Sequence, residues 1–124
     1  MKKVLLLSLM FLMVLSNVTS AKDIYIWTRE TSQGAVYESY VREESCRWIS
    51  DQEISADIIM IRTDKWGRTV PPLIVEWHFV GFDNPVYFKR DKITGHDTER
   101  FSVKDDAMVT KIYETVKEII FHDS

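Results

Sequence analysis

The stretch Leu73-Ile74-Val75-Glu76-Trp77-His78-Phe79-Val80 decides the fold of this chain. Its apolar side chains recur at every second position and leave one face of a strand, because successive β-carbons alternate sides. The members of this face are Leu73, Val75, Trp77 and Phe79, and the other face carries Ile74, Glu76, His78 and Val80. Pro71 and Pro72 prevent a helix from entering, and Gly81 marks the exit. The pattern predicts a central strand over 73–80 with one face buried under a large element.

Similar runs of β-branched and aromatic residues predict four more strands, at 23–29, 35–41, 54–62 and 86–90. Turn residues separate them at 31–34, 64–68 and 83–85, and the polar stretch 92–100 is predicted to be a loop. The spacing over 35–49 also fits a helix, so the pattern leaves this segment open. A strand at 35–41 is favoured because Gly34 lies between two Tyr/Val/Ile-rich runs. Residues 42–52 would then be a polar connection with a helical turn.

The end of the chain has the spacing of an amphipathic helix over 103–121. Its apolar stripe comprises Val109, Ile112, Tyr113, Val116, Ile119 and Ile120. Ser102 and Asp105 resemble a capping box at its start. The predicted fold class is therefore α+β, an antiparallel meander sheet of about five strands with one C-terminal amphipathic helix packed on one face. A helical 35–49 would give the order β-α-β-β-β-α within the same class.

The first 21 residues have the layout of a secretory signal peptide. Lys2 and Lys3 precede an apolar run from Val4 to Leu15, and small residues lead to a cut after Ser20 or Ala21. The alternative is a short uncleaved anchor. We expect residues 1–21 to be removed and 22–124 to form one small domain, exported to the periplasm or secreted from a bacterial cell. No membrane span is expected in the mature form, since the run is too short to cross a bilayer.

Composition excludes several function classes. Loss of Lys2 and Lys3 changes the net charge from −3 to −5, and an acidic chain is a poor general nucleic-acid binder. The 4 glycines are scattered singly, so phosphate-cradling loops and dinucleotide fingerprints are missing, and no cofactor is expected. Cys46 is the single cysteine, which excludes an internal disulfide. It is interpreted as a small buried hydrophobe, with an exposed thiol that pairs with another chain as the alternative.

Two positions on the central strand offer metal or acid–base chemistry. Glu76 and His78 share a face at a spacing of two, which allows them to bind one metal ion or to form a carboxylate–imidazole pair. His96 in the polar loop is the candidate third ligand. The competing interpretation places Glu76 and His78 on the solvent face of a half-buried sheet.

A hairpin tip offers a different chemistry. Trp66 lies in the turn 64–68 between Lys65 and Arg68, and an aromatic residue flanked by cations has the composition of an interaction hot spot. The alternative is that Trp66 folds back over the sheet edge. We therefore expect a non-enzymatic binding or accessory module whose partner is a protein, a peptide or an envelope component. A small exported metal-binding protein or enzyme that uses Glu76 and His78, and a subunit that self-associates through a sheet edge or Cys46, are the alternatives.

Overall fold

The computed structural model describes residues 22–122, which form an antiparallel sheet and one long helix. In chain order the strands are β1 (Asp23–Glu30), β2 (Val36–Arg42), β3 (Arg47–Ser50), β4 (Glu53–Thr63), β5 (Leu73–Val80), β6 (Val86–Arg90) and β7 (Phe101–Ser102). The helix is α1 (Ala107–His122), and two short 3₁₀ turns occupy Glu43–Ser45 and Val103–Asp105. The α+β class with a meander sheet and a closing helix is confirmed, and the strand count is higher than predicted.

The strands are arranged in the order β1-β2-β4-β5-β6-β7, and every neighbouring pair is antiparallel. Strand β4 is the longest and pairs with β5 over most of its length. Its other edge is shared, because β2 pairs with residues 58–63 and β3 pairs with residues 53–55. The 3₁₀ turn Glu43–Ser45 lies between β2 and β3, so the two strands pair with successive parts of the same β4 edge.

The core lies between the sheet and α1. Trp77 and Phe79 of β5 are 2% and 0% exposed, and Ala56 of β4 stands directly opposite Trp77, where its small side chain leaves room for the indole. Tyr113 of α1 packs against Phe79 at 5.4 Å between ring centroids. The apolar stripe predicted for the helix faces this core, with Val109, Ile112, Val116 and Ile120 buried.

The helix begins later than predicted. Residues 103–105 form a 3₁₀ turn, and Ser102 makes no side-chain capping bond, so the predicted capping box is wrong. Asp106 caps α1 instead, since its Oδ1 accepts hydrogen bonds from the backbone amides of Met108 and Val109. The 3₁₀ turn over Val103–Asp105 delays the start of the helix, so the capping position falls to Asp106.

Several smaller predictions are also settled. Segment 35–49 is a strand, a 3₁₀ turn and a second strand rather than a helix, and β3 lies within the predicted polar connection. The alternation predicts that Leu73 is buried, but it is 60% exposed because it is the first residue of β5 and lies outside the core cluster. Cys46 is partly buried and packs against the core.

The proposed signal peptide, residues 1–21, lies outside the described residues. Within residues 22–122, no helix has both the length and the apolar character that crossing a bilayer requires.

Candidate functional site

The predicted contact residues lie on a hydrogen-bonded loop between β4 and β5. The carboxylate of Asp64 organises this loop: its Oδ1 accepts hydrogen bonds from the backbone amides of Trp66 and Arg68, both at 2.9 Å. Its Oδ2 accepts a third from Nε of Arg68 at 3.0 Å. Gly67 supplies the left-handed conformation, with φ of 85°. The hydrogen bond from the Arg68 backbone amide is the main cause that lowers the pKa of Asp64 below its ordinary value.

Trp66 projects from this loop and is 68% exposed. The ammonium nitrogen of Lys65 lies over its ring at 4.8 Å from the centroid, and the guanidinium of Arg68 lies at 5.0 Å. Such cation–π contacts contribute about 0.5–1 kcal/mol each at exposed sites and restrict where the ring can point. The structure therefore brings the three predicted contact residues together, with the indole presented to solvent rather than folded over the sheet edge.

The loop does not stand alone, because the turn between β1 and β2 supports it. A β-carbon added at Gly34 would lie 3.0 Å from the β-carbon of Lys65, which shows how closely the two turns approach. A groove of about 260 Å³ opens between them, lined by Gln33, Ala35, Arg62, Asp64, Lys65 and Trp66. The two hairpin ends thus form one surface.

A row of three cross-strand neighbours extends this surface across the sheet. Arg29 of β1 pairs with Tyr37 of β2, which pairs with Arg62 of β4. Both guanidinium groups lie over the Tyr37 ring, at 5.6 Å and 5.9 Å from its centroid. The sequence reasoning missed this row because its members are far apart in the chain. The signal that could have found it is the register between β1, β2 and β4. We call Arg29, Tyr37, Arg62, Lys65, Trp66 and Arg68 the tip surface.

His78, a candidate metal ligand, is buried on the sheet face opposite the helix. It is 1% exposed, so the expectation that it lies on a solvent face is wrong. Phe88, its direct neighbour on β6, stacks on the imidazole with ring centroids 4.9 Å apart. Strand pairing therefore supplies an apolar cover that the alternation of β5 alone does not reveal.

Both imidazole nitrogens of His78 contact carboxylates. Nδ1 lies 2.8 Å from Oε2 of Glu53, and Nε2 lies 2.9 Å from Oε2 of Glu76. Arg47 of β3 adds a further hydrogen bond to Oε2 of Glu76 at 2.6 Å. The ring nitrogens are thus engaged in structural contacts.

His96, the candidate third metal ligand, lies elsewhere. It is exposed in the loop after β6 and lines a groove with Val75 and Lys89, whose side chains belong to the helix side of the sheet. His78 and Glu76 belong to the opposite side. No group of three or more His, Cys, Asp or Glu side chains with metal-binding geometry occurs within residues 22–122. The structure brings Glu76 and His78 together and leaves His96 apart.

The loop 91–100 is held to the sheet by two ion pairs. Nζ of Lys92 lies 2.9 Å from Oδ2 of Asp57, and Arg90 forms a two-pronged contact with Asp97. The Arg90 hydrogen bond is the main cause that lowers the pKa of Asp97. These two ion pairs thus connect the loop to strands of the sheet, and the contacts of His78 with Glu53 and Glu76 likewise connect parts of the sheet.

Comparisons of this chain with protein-family models, with curated proteins and with solved structures found no match.

Proposed function

We propose that this chain is an exported, non-enzymatic binding module that contacts a protein, peptide or envelope component through Lys65, Trp66 and Arg68. The observation that carries the proposal is the 68% exposure of Trp66 on a loop whose backbone is fixed by Asp64. An exposed indole on a preorganised loop loses little conformational freedom on binding and buries a large area. Export rests on the signal-peptide layout of residues 1–21.

The contrast with His78 supports a binding role over catalysis. A general acid or base must reach its substrate, and a metal ligand must offer a free nitrogen. His78 is 1% exposed, and both of its ring nitrogens contact glutamates. Trp66, in contrast, presents most of its surface to solvent.

The experiment is affinity capture from the exported proteins and envelope extract of the producing cell, with wild type and Trp66→Ala side by side. We expect Trp66→Ala to lose the captured partner while its free energy of unfolding falls by at most about 1–2 kcal/mol, since the indole is mostly exposed and its two cation–π contacts contribute about 0.5–1 kcal/mol each. Urea denaturation of the same preparations provides the stability measurement.

Ile93→Ala is the matched control, because Ile93 is an exposed apolar residue on a different loop, at 94% exposure. It should retain the partner. Retention by Trp66→Ala, or equal loss in both variants, would show that the tip does not carry recognition.

A further inference from the structure

We propose that the tip surface recognises an acidic protein segment, with Arg29 and Arg62 pairing with its carboxylates while Trp66 packs against its apolar part. This inference rests on the proposed function and adds the chemical class of the partner.

The first observation is the set of cations without ionic partners. Within the part of the chain that the structure describes, Arg29, Arg62 and Lys65 form no ion pair. Arg68 is the one cation of the tip surface that is neutralised, by Asp64. Three positive charges therefore converge on one surface of a chain whose net charge is −3. This local excess favours an anionic partner.

The second observation is the fixed placement of the two arginines. Arg29 and Arg62 lie on either side of Tyr37 in one cross-strand row, and their contacts with its ring restrain both guanidinium groups. A guanidinium placed in this way offers paired donors that match a carboxylate. Neighbouring strands are about 4.8 Å apart, so the backbone positions of Arg29 and Arg62 lie roughly 10 Å apart across β2, and both side chains lean over the Tyr37 ring between them.

The acidic residues near the tip surface offset the charges of Arg29 and Arg62 to different extents. The Asp64 carboxylate is engaged by the loop backbone, whereas Asp105 and Asp106 line a groove together with Arg29. Arg62 lines the groove beside Trp66, where the one aspartate in the lining, Asp64, is already paired with Arg68. We therefore expect Arg62 to contribute more than Arg29 to the binding of an anion.

A protein segment fits this surface better than a sugar chain. A neutral sugar chain would stack on the aromatic rings without using the positive charge, whereas Arg29, Arg62 and Lys65, which form no ion pair within residues 22–122, favour a partner that carries carboxylates. The combination of Trp, Tyr and Arg is also the composition of protein-interface hot spots. The free donors of the arginines remain available for carboxylates.

The test uses a fluorescein-labelled peptide of alternating glutamate and leucine, read by fluorescence anisotropy against the full mature chain. A peptide with glutamine in place of glutamate is the charge control. We expect the acidic peptide to bind, the glutamine peptide to bind at least about tenfold more weakly, and added salt to weaken the acidic complex. Absence of binding by the acidic peptide at millimolar protein, or equal binding of both peptides, would overturn the proposal.

The double variant Arg29→Gln/Arg62→Gln should weaken binding of the acidic peptide about tenfold, with Arg62→Gln alone accounting for most of it. The double variant Lys22→Gln/Lys111→Gln removes the same charge from two exposed positions elsewhere and should change the affinity less than twofold. An equal loss of affinity in both double variants would show that binding depends on the overall charge of the chain and would refute the proposed site.

Two further outcomes separate this inference from the proposed function. If Trp66→Ala loses the captured partner but the arginine variants retain it, the binding module stands and the acidic specificity falls. If a sulfated oligosaccharide of equal charge binds more tightly than the peptide and depends on the same arginines, the partner is a glycan and the protein segment is ruled out.

Discussion

The tip loop and the buried face around His78 both combine carboxylates with an aromatic ring, but the ring is exposed at the tip and buried at His78. At the tip, one carboxylate satisfies the backbone, so Trp66 and its flanking cations are displayed outward. On the buried face, two carboxylates engage both nitrogens of one imidazole, and Phe88 covers the ring. A histidine or a carboxylate indicates a functional site only when its polar atoms are not already hydrogen-bonded within the fold. The polar atoms around His78 are bonded in this way, whereas the Trp66 ring at the tip remains exposed.

The largest effect is expected for His78→Ala, which should lower the free energy of unfolding by about 3 kcal/mol. The substitution removes a buried ring and leaves Glu53 and Glu76 facing each other without their shared partner. Urea unfolding monitored by circular dichroism measures the loss. His96→Ala, at the exposed histidine, is the control and should be nearly neutral. A loss below about 1 kcal/mol for His78→Ala would mean that the buried face does not depend on this residue.

The second effect is a difference in the stability lost when Glu76 or Glu53 is replaced. Glu76→Gln removes the charge that both His78 and Arg47 contact, whereas Glu53→Gln removes the charge from one contact with His78. We expect a loss of about 2 kcal/mol for Glu76→Gln and about 1 kcal/mol for Glu53→Gln in the same unfolding assay. Adding Arg47→Gln to Glu76→Gln should then cost little more, because the two residues share one interaction. Equal losses for both single variants would argue against the Arg47 contact.

The smallest effect is local: it is the change in the loop 64–68 when Asp64 is protonated at low pH. The pKa of Asp64 is lowered by hydrogen bonds from the folded loop, so its contribution is complete above the ordinary value of 3.8 and is lost as the pH falls through the lower folded value. The pH titration of the amide NMR signals of Trp66 and Arg68 should therefore have its midpoint below 3.8. Asp64→Asn should shift the same signals at neutral pH. A midpoint at or above 3.8 would show that the loop does not stabilise the carboxylate.

The sequence predicted the elements whose signals are local and periodic. The alternation in β5 identified the strand and the burial of Trp77 and Phe79, and the stripe of α1 identified the helix and its buried face. The turn residues 64–68 identified the loop on which Trp66 is exposed.

The remaining features depend on pairing between distant segments. Strand β3 is exposed along its length and has no periodic signal, and it exists because β4 extends beyond the end of β2. The burial of His78 requires Phe88 from one neighbouring strand and Glu53 from another. The arginine row requires the register of three strands. None of these contacts can be read from a single strand, because they are properties of the sheet.

The close approach of Gly34 to Lys65 has a practical consequence for modified forms of the protein. A side chain at Gly34 would meet Lys65 in the neighbouring turn, so we expect added bulk in the turn 31–34 to displace the loop that carries Trp66. Gly95, in contrast, has open space around its missing side chain. A fluorophore or epitope tag inserted beside Gly95 should therefore leave recognition undisturbed, whereas the same insertion beside Gly34 should disable it in a protein that still folds.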